Sequence, residues 1–99
     1  MDIDFLKQLV RQKRYTLSRH SDTRRTRRSV PLQEIESAIL GGIIIQEYPN
    51  HQPLPRCVIR STATMHRPIE VVCDVSYEEE WLTIVTVMRG KIRRSRIKE

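Results

Sequence analysis

The sequence predicts an α+β domain with two or three N-terminal helices packed on one face of a four-stranded antiparallel sheet. Apolar residues recur at helical spacing as far as Ile39, and the period changes to two after Gly41-Gly42. Helical segments come first and strands afterwards, which favours helices layered on a meander of sequential strands. A chain of 99 residues is enough for one core. It is too short for a barrel enzyme or a dinucleotide-binding fold with a substrate domain. The expected domain spans residues 1–88, and residues 89–99 form a basic C-terminal tail.

The first helix is expected over residues 2–13, capped by Asp2 or Asp4, with Phe5, Leu6, Leu9 and Val10 on one side. Residues 18–29 contain no apolar side chain. If they are helical, Ser18 is the N-cap and His20, Arg24 and Arg28 share a face. Pro31 occupies the first position of the next helix, where Leu32, Ile35, Ala38 and Ile39 form the apolar stripe. Gly41-Gly42 stops it.

Four strands are expected to follow. The first, over 43–48, leads into the turn residues Tyr48-Pro49-Asn50, and Pro53 and Pro55 hold the next loop open. The second, about 56–61, places Cys57 and Ile59 on one face and Val58 and Arg60 on the other. The third, about 67–74, follows His66-Arg67-Pro68 and aligns Ile69, Val71 and Cys73. Glu78-Glu79-Glu80 marks a solvated connection to the fourth, about 81–88. Alternation there puts Leu82, Ile84, Thr86 and Met88 on one face and Val85 and Val87 on the other. Both faces are fairly apolar, as a central strand requires.

The net charge of +6 is unevenly distributed. Residues 1–30 carry nine basic and three acidic groups, residues 31–88 three and eight, and residues 89–99 six and one. An acidic middle between basic ends is a statement about partners, and a polyanion is the first suspect. Several classes are disfavoured. No apolar run reaches the ~18–20 residues of a membrane helix. The opening Met1-Asp2-Ile3-Asp4 does not read as a signal peptide. Cys57 and Cys73 sit inside apolar runs and read as packed thiols, with a disulfide as the alternative if they lie on facing strands. His20, His51, His66 and the cysteines show no metal-ligand spacing, so no metal or other cofactor is expected. A phosphate-binding Gly loop and a Gly-x-Ser-x-Gly elbow are both missing from the sequence.

The chemistry-bearing segment is the basic run of Arg11, Lys13, Arg14, Arg19, Arg24, Arg25, Arg27 and Arg28, with His20 among them. Guanidinium groups suit bidentate phosphate contacts. Cleaving RNA without a metal needs a base for the 2′-OH proton, a cation for the pentavalent phosphate, an acid for the leaving oxygen and a surface for the strand. His20, Arg24, Arg28 and Arg67 are of the types that supply the first three. The alternatives are plain: His20 as a helix-surface residue, Arg67 as an ion-pair partner of Glu70 or Asp74, Tyr48 as a packing residue.

The ordered set from Tyr15-Thr16-Leu17-Ser18-Arg19-His20 through Arg24, Arg28, Val30, Gly42, Ile44 and Tyr48 resembles a family of small prokaryotic proteins known only as a domain of unknown function. Its pattern is H-A-x-x-R-M-x-x-R-x-I, a second helix, then G-x-x-I-x-x-Y. Pro53-Leu54-Pro55-Arg56-Cys57, Arg67-Pro68-Ile69, Val71-Val72 and Ile84-Val85-Thr86-Val87 extend the match across roughly residues 13–88. That family looks like the RelE- and MqsR-like toxins of type II toxin–antitoxin pairs, often encoded beside a YgiT-type zinc-finger antitoxin. The resemblance implies a RelE/barnase-like fold and metal-independent mRNA cleavage. The expected catalytic residues are His20, Arg67 and Thr86, and the expected RNA contacts are Arg19, Arg24, Arg28, Tyr48 and Arg60.

The chain departs from the family pattern at Ser21 and Arg25, which stand where Ala and Met are usual, and at Ser61 in place of Gly. Glu70 stands where many members have His. A chain lacking that acid or base would be a non-catalytic RNA-binding or partner-docking module, the second expectation. A helix-turn-helix is the weaker third, because Ile35 and Ile39 make the following helix a core helix. The expected partners are RNA and a cognate antitoxin, with a homodimer left open, and the expected location is the cytoplasm.

Overall fold

A computed structural model describes residues 1–27, 30–61 and 68–89. Three helices and five strands follow in the order α1 (Ile3–Arg11), β1 (Tyr15–Leu17), α2 (Arg19–Arg27), α3 (Leu32–Leu40), β2 (Gly42–Tyr48), β3 (Arg56–Ser61), β4 (Ile69–Ser76) and β5 (Trp81–Arg89). The α+β class is as expected. The sheet differs from the expected four antiparallel strands: among the described residues it has five, in the order β1-β5-β4-β3-β2, and β1 runs parallel to β5. Residues 28–29 and 62–67 and the tail from residue 90 onward lie outside the described residues, as do the expected roles of Arg28 and Arg67.

Each helix starts and stops for a local reason. The Asp2 carboxylate caps α1 by accepting from the Asp4 amide at 2.9 Å, and Leu6, Leu9 and Val10 are buried. Lys13, at φ 59°, turns the chain out of α1 and into β1. Ser18 caps α2, accepting from the Ser21 amide at 3.0 Å. Pro31 proves to be the N-cap of α3 rather than its first helical residue, and its carbonyl receives the Glu34 and Ile35 amides. Ile35, Ala38 and Ile39 point into the core. Truncating either isoleucine to Ala would cost ~2–5 kcal/mol.

Helix α3 lies across β3 and β4, and α1 packs on α3 and β5. The core they close comprises Leu6, Leu9, Val10, Val30, Ile35, Ala38, Ile39, Cys57, Ile59, Ile69, Val71, Cys73, Val75, Leu82, Ile84 and Val87. Helices α1 and α3 both bury their apolar residues in this core and leave the opposite sheet face open. Helix α2 packs chiefly on β5, where it continues the edge that β1 begins.

The missed strand has a clear cause. Tyr15-Thr16-Leu17 is too short to show a period, and its pairing is with β5, far away in sequence. Side chains fix it at one end. Arg14 donates to the carbonyls of Glu79 and Glu80 at 2.9 Å each, and its guanidinium lies 5.4 Å from the Trp81 ring centre. Trp81 Nε1 donates to Thr16 Oγ1 at 2.8 Å. The Tyr15 hydroxyl bonds to Glu36 of α3, which also receives Lys13 Nζ at 2.9 Å.

Alternation fails within β5. Val72 pairs with Thr86 while Cys73 pairs with Ile84, so Val85 is an extra residue, a β-bulge. Beyond it the faces exchange: Val87 enters the core, and Thr86 pairs with Val72 on the open face instead of following Ile84 inward. A second bulge at Ile45 interrupts β2.

Candidate functional site

The open sheet face is built by cross-strand rows. Tyr48 stands opposite Arg56, Arg56 opposite Asp74, and Asp74 opposite Thr83. The next row joins Gln46, Val58, Val72 and Thr86, and a third joins Ile43, Arg60, Glu70 and Met88. Three expected site residues, Tyr48, Arg60 and Thr86, therefore share this face. Tyr48 is 43% exposed, and Arg60 and Thr86 are half-buried.

The cations of this face are largely engaged. Arg56 grips Asp74 through two bonds, Nε to Oδ1 at 2.6 Å and Nη2 to Oδ2 at 3.2 Å, which raises the Arg56 pKa. Arg60 Nε lies 3.8 Å from Glu70 Oε2. Glu70 is thus an ion-pair partner of Arg60, an expected phosphate ligand.

Arg19 and His20 occupy the first turn of α2, both exposed. Arg24 lies one turn further along the same helix, so the i, i+4 relation to His20 holds in the backbone. Two members of the basic run are committed elsewhere: Arg14 to the β4–β5 turn and Lys13 to Glu36.

Helix α2 is held to the open face's edge by Ser18. Its amide donates to the Ile84 carbonyl and its Oγ to the Val85 carbonyl, both at 2.9 Å. Sequence reasoning identified Ser18 as a cap but missed this second role. Nothing in a linear pattern shows that the strand opposite is bulged. Arg56 and Asp74 were also missed, although Arg-x-Val-x-Arg alternation in β3 placed both arginines on one face.

The core face offers little for nucleophilic chemistry. Cys57 and Cys73 are directly opposed free thiols, both fully buried. Burial first, then the Glu47 carboxylate, pushes the Cys57 pKa up to about 12, and burial raises Cys73 well above the usual thiol range. Among the described residues there is no group of three His, Cys, Asp or Glu placed to hold a metal ion. Nor is any described helix long and apolar enough to cross a membrane.

No curated protein matches the chain, and no solved structure does. A family model matches residues 17–89, from the last residue of β1 to the end of β5. The match covers α2, α3 and four of the strands, including Ser18, His20 and Thr86, and leaves α1 outside. The chain belongs to the family described as Domain of unknown function (DUF4258).

Proposed function

We propose that the protein is an RNA-directed toxin of a toxin–antitoxin pair, a metal-independent endoribonuclease that cleaves mRNA by 2′-OH attack on the adjacent phosphate. The observation that carries this reading is α2: Arg19 and His20 lie exposed on its first turn, which Ser18 ties to β5, the strand bearing Thr86, while Arg60 on β3 and Tyr48 on the far edge strand β2 share the sheet face with Thr86. In this reading Arg19 holds phosphate oxygens, Tyr48 stacks a base, and His20 takes the 2′-OH proton as the 2′-oxygen bonds to phosphorus; the P–O5′ bond breaks, water protonates the leaving 5′-oxygen, and a 2′,3′-cyclic phosphate remains. Thr86 donates to the phosphate; Arg67 as a catalytic group and Arg24 and Arg28 as phosphate contacts remain expectations from the sequence, with no described side chain. The resemblance to RelE- and MqsR-like toxins supports the same class, and an antitoxin is the expected partner.

A specific observation favours a second reading. The Arg60–Glu70 pair neutralises an expected phosphate ligand with the residue that replaces a family histidine. A carboxylate there in place of an acid or base suits a non-catalytic RNA-binding or partner-docking module.

The experiment incubates the purified full chain with total RNA in EDTA and maps the ends formed. Cleavage that His20→Ala and Thr86→Val each reduce at least roughly tenfold supports the nuclease. Salt-sensitive binding without cleavage supports the module. Neither binding nor cleavage rejects both.

A further inference from the structure

We infer that Ser18 is the positioning residue of the site: it locks the β5 bulge and the first turn of α2 together, and so sets His20 and Thr86 on one rigid unit. The roles of His20 and Thr86 rest on the RNA-directed reading above; the clamp itself rests on geometry.

Four hydrogen bonds converge on this serine. Its amide donates to the Ile84 carbonyl and its Oγ–H to the Val85 carbonyl. Its Oγ accepts from the Ser21 amide at 3.0 Å, and its carbonyl accepts from the Asp22 amide at 2.9 Å. The first pair grips the strand, and the second pair starts the helix.

Val85 is the extra residue of the bulge, and the bulge decides where Thr86 points. In regular alternation Thr86 would follow Leu82 and Ile84 toward the core; the bulge turns it to the open face and sends Val87 inward. Binding the Val85 carbonyl therefore stabilises the strand form that presents Thr86. Two residues downstream of Ser18, His20 rides on the turn that the same hydroxyl caps. The family match includes this whole unit, from Leu17 through Thr86.

The test separates capping from clamping with three full-length variants. Ser18→Thr keeps a hydroxyl that both accepts and donates. Ser18→Asp keeps a helix cap but has no proton for the Val85 carbonyl. Ser18→Ala loses both. In amide and imidazole NMR spectra, Ser18→Asp is expected to shift Thr86, Val87 and His20 while Ile35 and Val71 stay in place. Ser18→Thr is expected to return all of them to wild-type positions. Wild-type signals for Thr86 and His20 in Ser18→Asp would overturn the proposal, even if Ser18→Ala fails to fold.

In the RNA assay, Ser18→Ala is expected to lower kcat roughly tenfold with KM within about twofold, and Ser18→Thr to restore it. A change in KM alone, or no rescue by Thr at wild-type thermal stability, would overturn it. If wild-type protein neither binds nor cleaves RNA, the functional reading fails, and the NMR comparison still decides the clamp.

Discussion

Gly42→Ala tests the packing of α3 on the sheet. A Cβ at this position would lie 2.4 Å from the Ala38 carbonyl oxygen, 2.7 Å from that of Arg60 and 2.8 Å from Ile59 Cγ2. Two of the three obstacles are backbone, one in the last turn of α3 and one in β3, so no side-chain rotation relieves them. The helix must lift from the strand, and Ala38, Ile39 and Ile59 lose close packing with it. Overpacking with forced backbone movement costs ~2–3 kcal/mol. For a chain of this size that lowers the urea midpoint by roughly 1–2 M at unchanged slope. Gly41→Ala is the control: Gly41 is exposed, with φ −104°, so its replacement should shift stability by under ~0.5 kcal/mol. A Gly42→Ala midpoint within ~0.3 M of wild type would refute the claim that α3 and β3 are in rigid contact here.

Ser21 is fully buried and its Oγ has no hydrogen-bond partner, so Ser21→Ala should raise stability by ~0.5–1.5 kcal/mol in urea titrations. Burial first, then Glu36, raises the Tyr15 pKa to about 12. A phenol raised in the folded state contributes stability present below its unfolded pKa of about 10 and lost as pH climbs toward 12. The phenolate absorbance missing in Tyr15→Phe should therefore appear late in alkaline titration, and earlier in Glu36→Gln. Glu70→Gln frees Arg60, and should strengthen RNA binding and steepen its log–log salt dependence by about one. An unchanged slope would remove Arg60 from the interface. Cys57 and Cys73 should resist iodoacetamide at pH 8 in the native protein and react in denaturant.

Helices α1 and α3 were legible because Leu6, Leu9, Val10, Ile35 and Ile39 keep a 3.6-residue period. Strands β3 and β4 were legible because Cys57 and Ile59, and Ile69, Val71 and Cys73, alternate without interruption. Strand β1 and the Val85 bulge were not, because each is defined by a partner distant in sequence. Of the site, the polar residue types were readable, while their grouping was not. The shared face of Tyr48, Arg60 and Thr86 depends on register, and Thr86 reaches it only through the bulge. The ion pairs that occupy Arg56 and Arg60 likewise depend on which strands are neighbours.

The parallel pairing of β1 with β5 also sets a timetable for synthesis. Tyr15 emerges from the ribosome long before Leu82, its partner, and Ser18 before the Ile84 and Val85 carbonyls that receive it. Until β5 has been made, the basic helix α2 has no seat, and the bulge that turns Thr86 outward does not exist. A nascent or C-terminally shortened chain thus carries the arginines without the arrangement that orients them. Non-local pairing of this kind places the ordering of α2 late in folding.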